Sequence, residues 1–109
     1  MANSRLTLMC FRKPLAIKLS PRARLDFIDI LRFTGETWGQ EQLFAYRDKM
    51  NSALQTLSHN PQLGHQRSDL PPTHLSFVVG SHLIVYRLDK ESLSVVRILH
   101  QRMSLSRHL

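Results

Sequence analysis

Three short apolar runs crowd the last third of the chain, and two longer stretches with helical periodicity precede them. Ser76 to Val79, His82 to Leu88 and Leu93 to Leu99 are rich in Val, Ile, Leu, Phe and Tyr, residue types that suit a pleated, half-buried surface. Gly80-Ser81 has the length of a tight hairpin turn, and Asp89 to Ser92 makes a longer one. These signals predict strands near 75–79, 82–88 and 93–99. Leu15 to Leu19 is a fourth strand candidate near the start of the chain.

Ser20-Pro21 is a helix-start signal, with serine as cap and proline in the first turn. Ala23, Phe27, Ile30 and Leu31 follow at helical spacing, and Gly35 reads as the stop. Thr37 to Gly39 reads as a connector. A second helix is predicted over 40–58, with Leu43, Tyr46, Met50, Leu54 and Leu57 on one face and Asn60-Pro61 at its end. Residues 59–74, with Pro61, Gly64, Pro71 and Pro72, read as loop.

The predicted order is therefore β-α-α-β-β-β. One sheet and one helical hairpin bury their apolar faces best against each other. The expected class is α+β, a hairpin packed on a small, mainly antiparallel sheet. A single domain is expected over 15–109, preceded by an N-terminal extension over 1–14. Trp38, Phe27, Tyr46 and Met50 are expected in the core or between the helices. Tyr86 is either a core residue with its hydroxyl at the sheet edge or part of a groove wall.

Composition adds a charge pattern. The 109 residues carry a net charge of +7. Residues 1–24 contain six basic side chains and no acid, and residues 92–109 contain Arg97, Arg102 and Arg107 and no acid. All eight acids lie between. Basic ends attract polyanions, whether acidic proteins or nucleic acid. The single Cys10 cannot form an internal disulfide, which fits a reducing cytoplasm. The apolar run from Leu6 to Phe11 is too short for a secretory segment, and no stretch reaches membrane-spanning length.

Six histidines raise the question of a metal. His59 and His65 have the spacing of a zinc-finger pair, but Pro61 and Gly64 interrupt the gap and paired cysteines are missing. No metal site or cofactor is expected, and the glycines form no phosphate-binding loop. The basic tail group of Arg97, His100, Arg102, Arg107 and His108 is the one constellation that suggests contact with phosphate or carboxylate.

Several short pieces occur in a characteristic order: Leu19-Ser20-Pro21, Asp26 to Ile30, Thr37-Trp38-Gly39, Tyr46, Leu57 to Pro61 with Gly64, Gly80 to Arg87, and Val96 to Met103. Together they resemble the ParE branch of the RelE/ParE toxin superfamily over about residues 17–109. The resemblance implies the toxin of a type II toxin–antitoxin pair, cytoplasmic and held in a hetero-oligomer. Its partner would be a ribbon-helix-helix antitoxin with an acidic C-terminal segment. It implies action on DNA gyrase or a related topoisomerase by binding rather than catalysis. Arg97, His100, Arg102 and Arg107 are the expected target contacts. Phe27, Ile30, Tyr46, Met50 and Tyr86 are the expected antitoxin contacts.

Two alternatives stand beside this expectation. A RelE-type ribosome-dependent mRNA endoribonuclease would use Arg67, Arg87, Arg97 and His100, although the tail lacks the tyrosine such chemistry often employs. A non-toxic homologue would keep antitoxin binding alone. Leu75, at a position often arginine in the family, keeps that reading open.

Overall fold

The computed structural model describes residues 14–101. The extension expected over 1–14, apart from Pro14, lies outside the described residues, as do Cys10, Arg102, Arg107 and His108. The elements are β1 (Ala16–Leu19), α1 (Pro21–Trp38), α2 (Gln40–His59), a short 3-10 turn (Pro61–Leu63), β2 (His74–Val79), β3 (His82–Leu88) and β4 (Ser92–His100). The order and the α+β class are those expected. The sheet runs β1-β4-β3-β2, with β1 parallel to β4 and the other pairs antiparallel.

Ser20 starts α1 and ties it to the sheet. Its hydroxyl accepts from the Ala23 amide at 2.9 Å and donates to the Val96 carbonyl at 2.8 Å. Its own amide donates to the Val95 carbonyl. Gly35 does not end this helix, contrary to expectation. The helix continues through Thr37 and Trp38 and stops at Gly39, which adopts φ +93° and caps both helices. Gly35 serves a different need: a Cβ there would lie 2.7 Å from the Leu43 side chain. The glycine lets the two helices approach closely at their joined end.

The main core lies between the hairpin and one sheet face. Met50, Leu54 and Leu57 of α2 and Ala23 of α1 meet Val79, Ile84, Tyr86, Leu93, Val95 and Ile98 of the sheet. A smaller cluster on the other face joins Leu83, Val85 and Leu99 to Leu70 of the preceding loop. Both faces of β3 are therefore covered. That explains why Leu83 to Tyr86 is an unbroken apolar run instead of an alternating one.

A β-bulge interrupts the β3–β4 ladder. Tyr86 pairs with Val95, but Val85 pairs with Arg97, so Val96 is the extra residue. Continuing the Leu88–Leu93 register without it would set His82 opposite Leu99. With it, His82 stands opposite His100.

Candidate partner-binding site

The bulge places two histidines together at the end of the sheet nearest the helical connection. The His82 and His100 rings meet edge to face, 5.4 Å between centroids. Tyr46 of α2 approaches His82 from the other side at 5.5 Å. Its hydroxyl bonds the Val79 carbonyl at 3.1 Å and His82 Nδ1 at 2.6 Å. A phenol has one hydrogen. If it donates to Val79, His82 Nδ1 must carry the hydrogen of the second bond.

Burial pushes the Tyr46 phenol above its ordinary range. Burial, followed by the neighbouring His100, pushes His82 below its ordinary value. Both groups are therefore neutral near pH 7. Gly80, at φ +59°, brings the turn against the Tyr46 ring: a Cβ there would lie 2.8 Å from the hydroxyl.

This polar cluster forms the floor of an open cavity of about 520 Å³. Phe33 and Trp38 of α1 stand at its wall, 65% and 70% exposed, with Thr34 and Gln42 nearby. Leu25, Ile28 and Phe44 add exposed apolar surface on the same two helices. Two exposed aromatic side chains bordering a cavity with a few polar groups suit a protein partner. Among the described residues, no group of three or more His, Cys, Asp or Glu side chains is placed to hold a metal ion.

The expected site residues occupy different environments. Tyr46 and His100 belong to this site. Phe27 and Ile30 are half-buried against the main core. Met50 and Tyr86 are 0% exposed, and their side chains offer no surface to an antitoxin. Tyr86 instead donates to the Pro61 carbonyl at 2.8 Å and accepts from the Gly64 amide at 3.0 Å. It clamps the loop after α2 to the core. Trp38, expected inside, is 70% exposed at the last residue of α1.

Arg97 is engaged in the fold. Its guanidinium makes a two-pronged contact with Asp26 of α1, at 2.7 and 3.2 Å, and the pair is 12% and 13% exposed. Arg67 pairs with Asp69 in the loop before β2 and holds that carboxyl below its usual range by hydrogen bonding. Arg87 lies opposite Ser94, whereas His100 lies six residues further along β4. Six strand residues span about 20 Å. His100 faces the helices, and Arg87 shares the opposite face with Leu83 and Val85. Leu75 packs against the main core, with His74 on the other face.

Sequence reading missed His82 and the exposure of Phe33 and Trp38. The polar residue at the head of an apolar strand marks His82, but its partner depends on the bulge.

The family model for the ParE toxin of the type II toxin–antitoxin system parDE matches residues 17–105. Toxin ParE1 of Mycobacterium tuberculosis H37Rv is 34% identical over 92 residues, covering 84% of this chain and 94% of that protein. Toxin ParE1 of Caulobacter vibrioides is 29% identical over 92 residues, covering 84% and 95%. A solved structure of the chromosomal ParDE system from P. aeruginosa superposes with a TM-score of 0.68 at 15% identity. It covers 79% of this chain and 95% of that one, a likeness of fold.

Proposed function

For a chain that belongs to the ParE toxin family of type II toxin–antitoxin systems, we propose action in the cytoplasm by binding, with DNA gyrase or a related topoisomerase as target. The observation that carries this reading is the dispersal of the residues a ribonuclease would need. Arg67 and Arg97 are each paired with a carboxylate. Arg87 and His100 lie on opposite faces, about 20 Å apart along the sheet. General acid–base chemistry requires such groups within hydrogen-bond reach of one reacting atom.

The antitoxin, a ribbon-helix-helix protein with an acidic C-terminal segment, covers the helical hairpin in a toxin–antitoxin hetero-oligomer. Phe33, Trp38 and Tyr46 are its central contacts, and Phe27 and Ile30 contribute the edges they leave exposed. Large aromatic side chains in a cavity with polar groups at its floor are the usual anchors of such interfaces. His100, together with Arg102 and Arg107, makes the target contact.

Pulse-labelling of DNA and protein synthesis just after induction tests this reading. Early loss of DNA synthesis with translation intact is the expected result. Early loss of translation would establish the ribonuclease instead. If neither changes, the chain is a non-toxic homologue that binds antitoxin.

A further inference from the structure

The sheet face turned away from the helices carries a second constellation, at the end opposite the histidine pair. His74, Arg87, Ser94 and Lys18 stand in register, one on each strand, across the whole sheet. Neighbouring strands are about 4.8 Å apart, so Arg87 and Lys18 flank Ser94 with backbones about 10 Å from each other. The four side chains line a shallow cavity of about 400 Å³, and no carboxylate lines it.

These charges differ from others on the molecule. Arg32, Arg47, Arg67 and Arg97 each have an acidic partner. Lys18 and Arg87 form no ion pair among the described residues; Lys18 also borders a neighbouring cavity lined by Asp89 and Glu91. Two cations on either side of a hydroxyl, with no carboxylate in the lining, make this concavity positive.

We propose that this row is a binding site for linked phosphate groups, carried by a free nucleotide or by a nucleic-acid strand. Arg87 and Lys18 supply charge-assisted hydrogen bonds from the two sides, and Ser94 supplies a hydroxyl between them. Backbones about 10 Å apart allow each cation to engage its own phosphate of a linked pair.

His74 makes the site pH-sensitive. Partial burial, followed by the adjacent Arg87 charge, holds it below its ordinary value. Arg87 faces it from β3 and Lys18 lies beyond Ser94 on β1, while Thr73 Oγ1 is within hydrogen-bond distance of its Nδ1. A bound phosphate offsets those cations and draws a proton onto the ring, so binding strengthens as pH falls through the histidine range. This inference stands apart from the topoisomerase reading, whose one described contact, His100, lies at the other end of the sheet.

The test is a calorimetric and NMR titration of the full chain with inorganic pyrophosphate, ADP and a short single-stranded oligonucleotide, from pH 8 to pH 6. Saturable binding is expected, centred on resonances of His74, Arg87, Ser94 and Lys18. Arg87→Gln and Lys18→Gln each weaken it by about tenfold. His74→Gln keeps the pH 8 affinity and abolishes the rise toward pH 6. A stronger response to ADP identifies a nucleotide as the source, and a stronger response to the oligonucleotide identifies a strand. The proposal is overturned if no saturable binding occurs, or if Arg87→Gln, verified as folded by its melting temperature, binds as the parent does. It is equally overturned if only a polyglutamate peptide competes for the row.

Discussion

The carboxylate of Asp26 joins the Arg97 guanidinium through two oxygens, and one of those oxygens also accepts from the Ile98 amide at 3.0 Å. Three donors thus converge on one side chain of α1. β1 pairs with β4 only as far as Leu19–Val95. Beyond that point the outer edge of β4 has no strand beside it, and Asp26 accepts the amide that a longer β1 would have bound. The pair is a fastening between the first helix and the last strand. A residue expected to grip a target instead holds the fold.

Asp26→Ala leaves a largely buried guanidinium and an edge amide without that acceptor. It is expected to destabilise the protein by about 2–4 kcal/mol. The Asp26→Ala/Arg97→Ala double variant should lose less than the sum of the single changes, since no unpaired charge remains. Urea denaturation of the four proteins measures the coupling. Strict additivity would mean that the contact contributes nothing.

Gly64→Ala addresses the clamp made by Tyr86. A Cβ at this position would sit 2.2 Å from the Tyr86 hydroxyl and 2.8 Å from its ring. The ring is fully buried and cannot move aside. A loss of about 1–3 kcal/mol is expected from overpacking and the disturbed hydrogen bonds. A melting temperature equal to that of the parent would show that the loop yields freely.

Trp38→Ala and Met50→Ala separate surface from core. Trp38 is mostly exposed, so its truncation should change stability by no more than about 0.5 kcal/mol, while weakening antitoxin binding by about tenfold or more. Met50 is enclosed, and its truncation should cost about 2–5 kcal/mol. Chemical denaturation and calorimetry with the antitoxin distinguish the two. An antitoxin that binds Trp38→Ala as tightly as the parent would place the interface elsewhere.

The lowered pKa of His82 makes stability depend on pH. The unfolded ring takes up a proton near its ordinary value of about 6.5, whereas the folded ring resists until lower pH. The unfolded state therefore binds more protons in that window. The contribution is fully present above about pH 6.5 and is lost as pH falls through the lowered folded value. Melting temperatures measured from pH 8 to pH 4.5 should decline below about pH 6.5, and His82→Phe should flatten that part of the curve. An unchanged slope would assign the decline to other groups.

Much of this protein follows from its sequence by local physics. Ser20-Pro21 starts a helix because the serine hydroxyl reaches the Ala23 amide. Gly80-Ser81 turns because glycine takes φ +59° at little cost. The apolar run from Leu83 to Tyr86 reads as a strand by residue type. Element order and class depend on periodicities of this kind, which act over a few residues. Gly35 and Gly39 show their limit: both are helix-stop residues by type, and only the close approach of Leu43 gives Gly35 another reason to be glycine.

The site followed a different logic. Whether Arg97 is a surface cation or half of an ion pair depends on Asp26, 71 positions away. Whether Met50 and Tyr86 meet a partner or the core depends on which stripe of the helix and which sheet face are covered. Whether His82 meets His100 or Leu99 depends on one extra residue at Val96. The sequence by itself determined the elements, their order and the net positive charge at both ends of the chain. The tertiary structure decided which charges are paired, which aromatics face outward and which histidines touch, because pairing register and long-range packing arise only when distant segments meet.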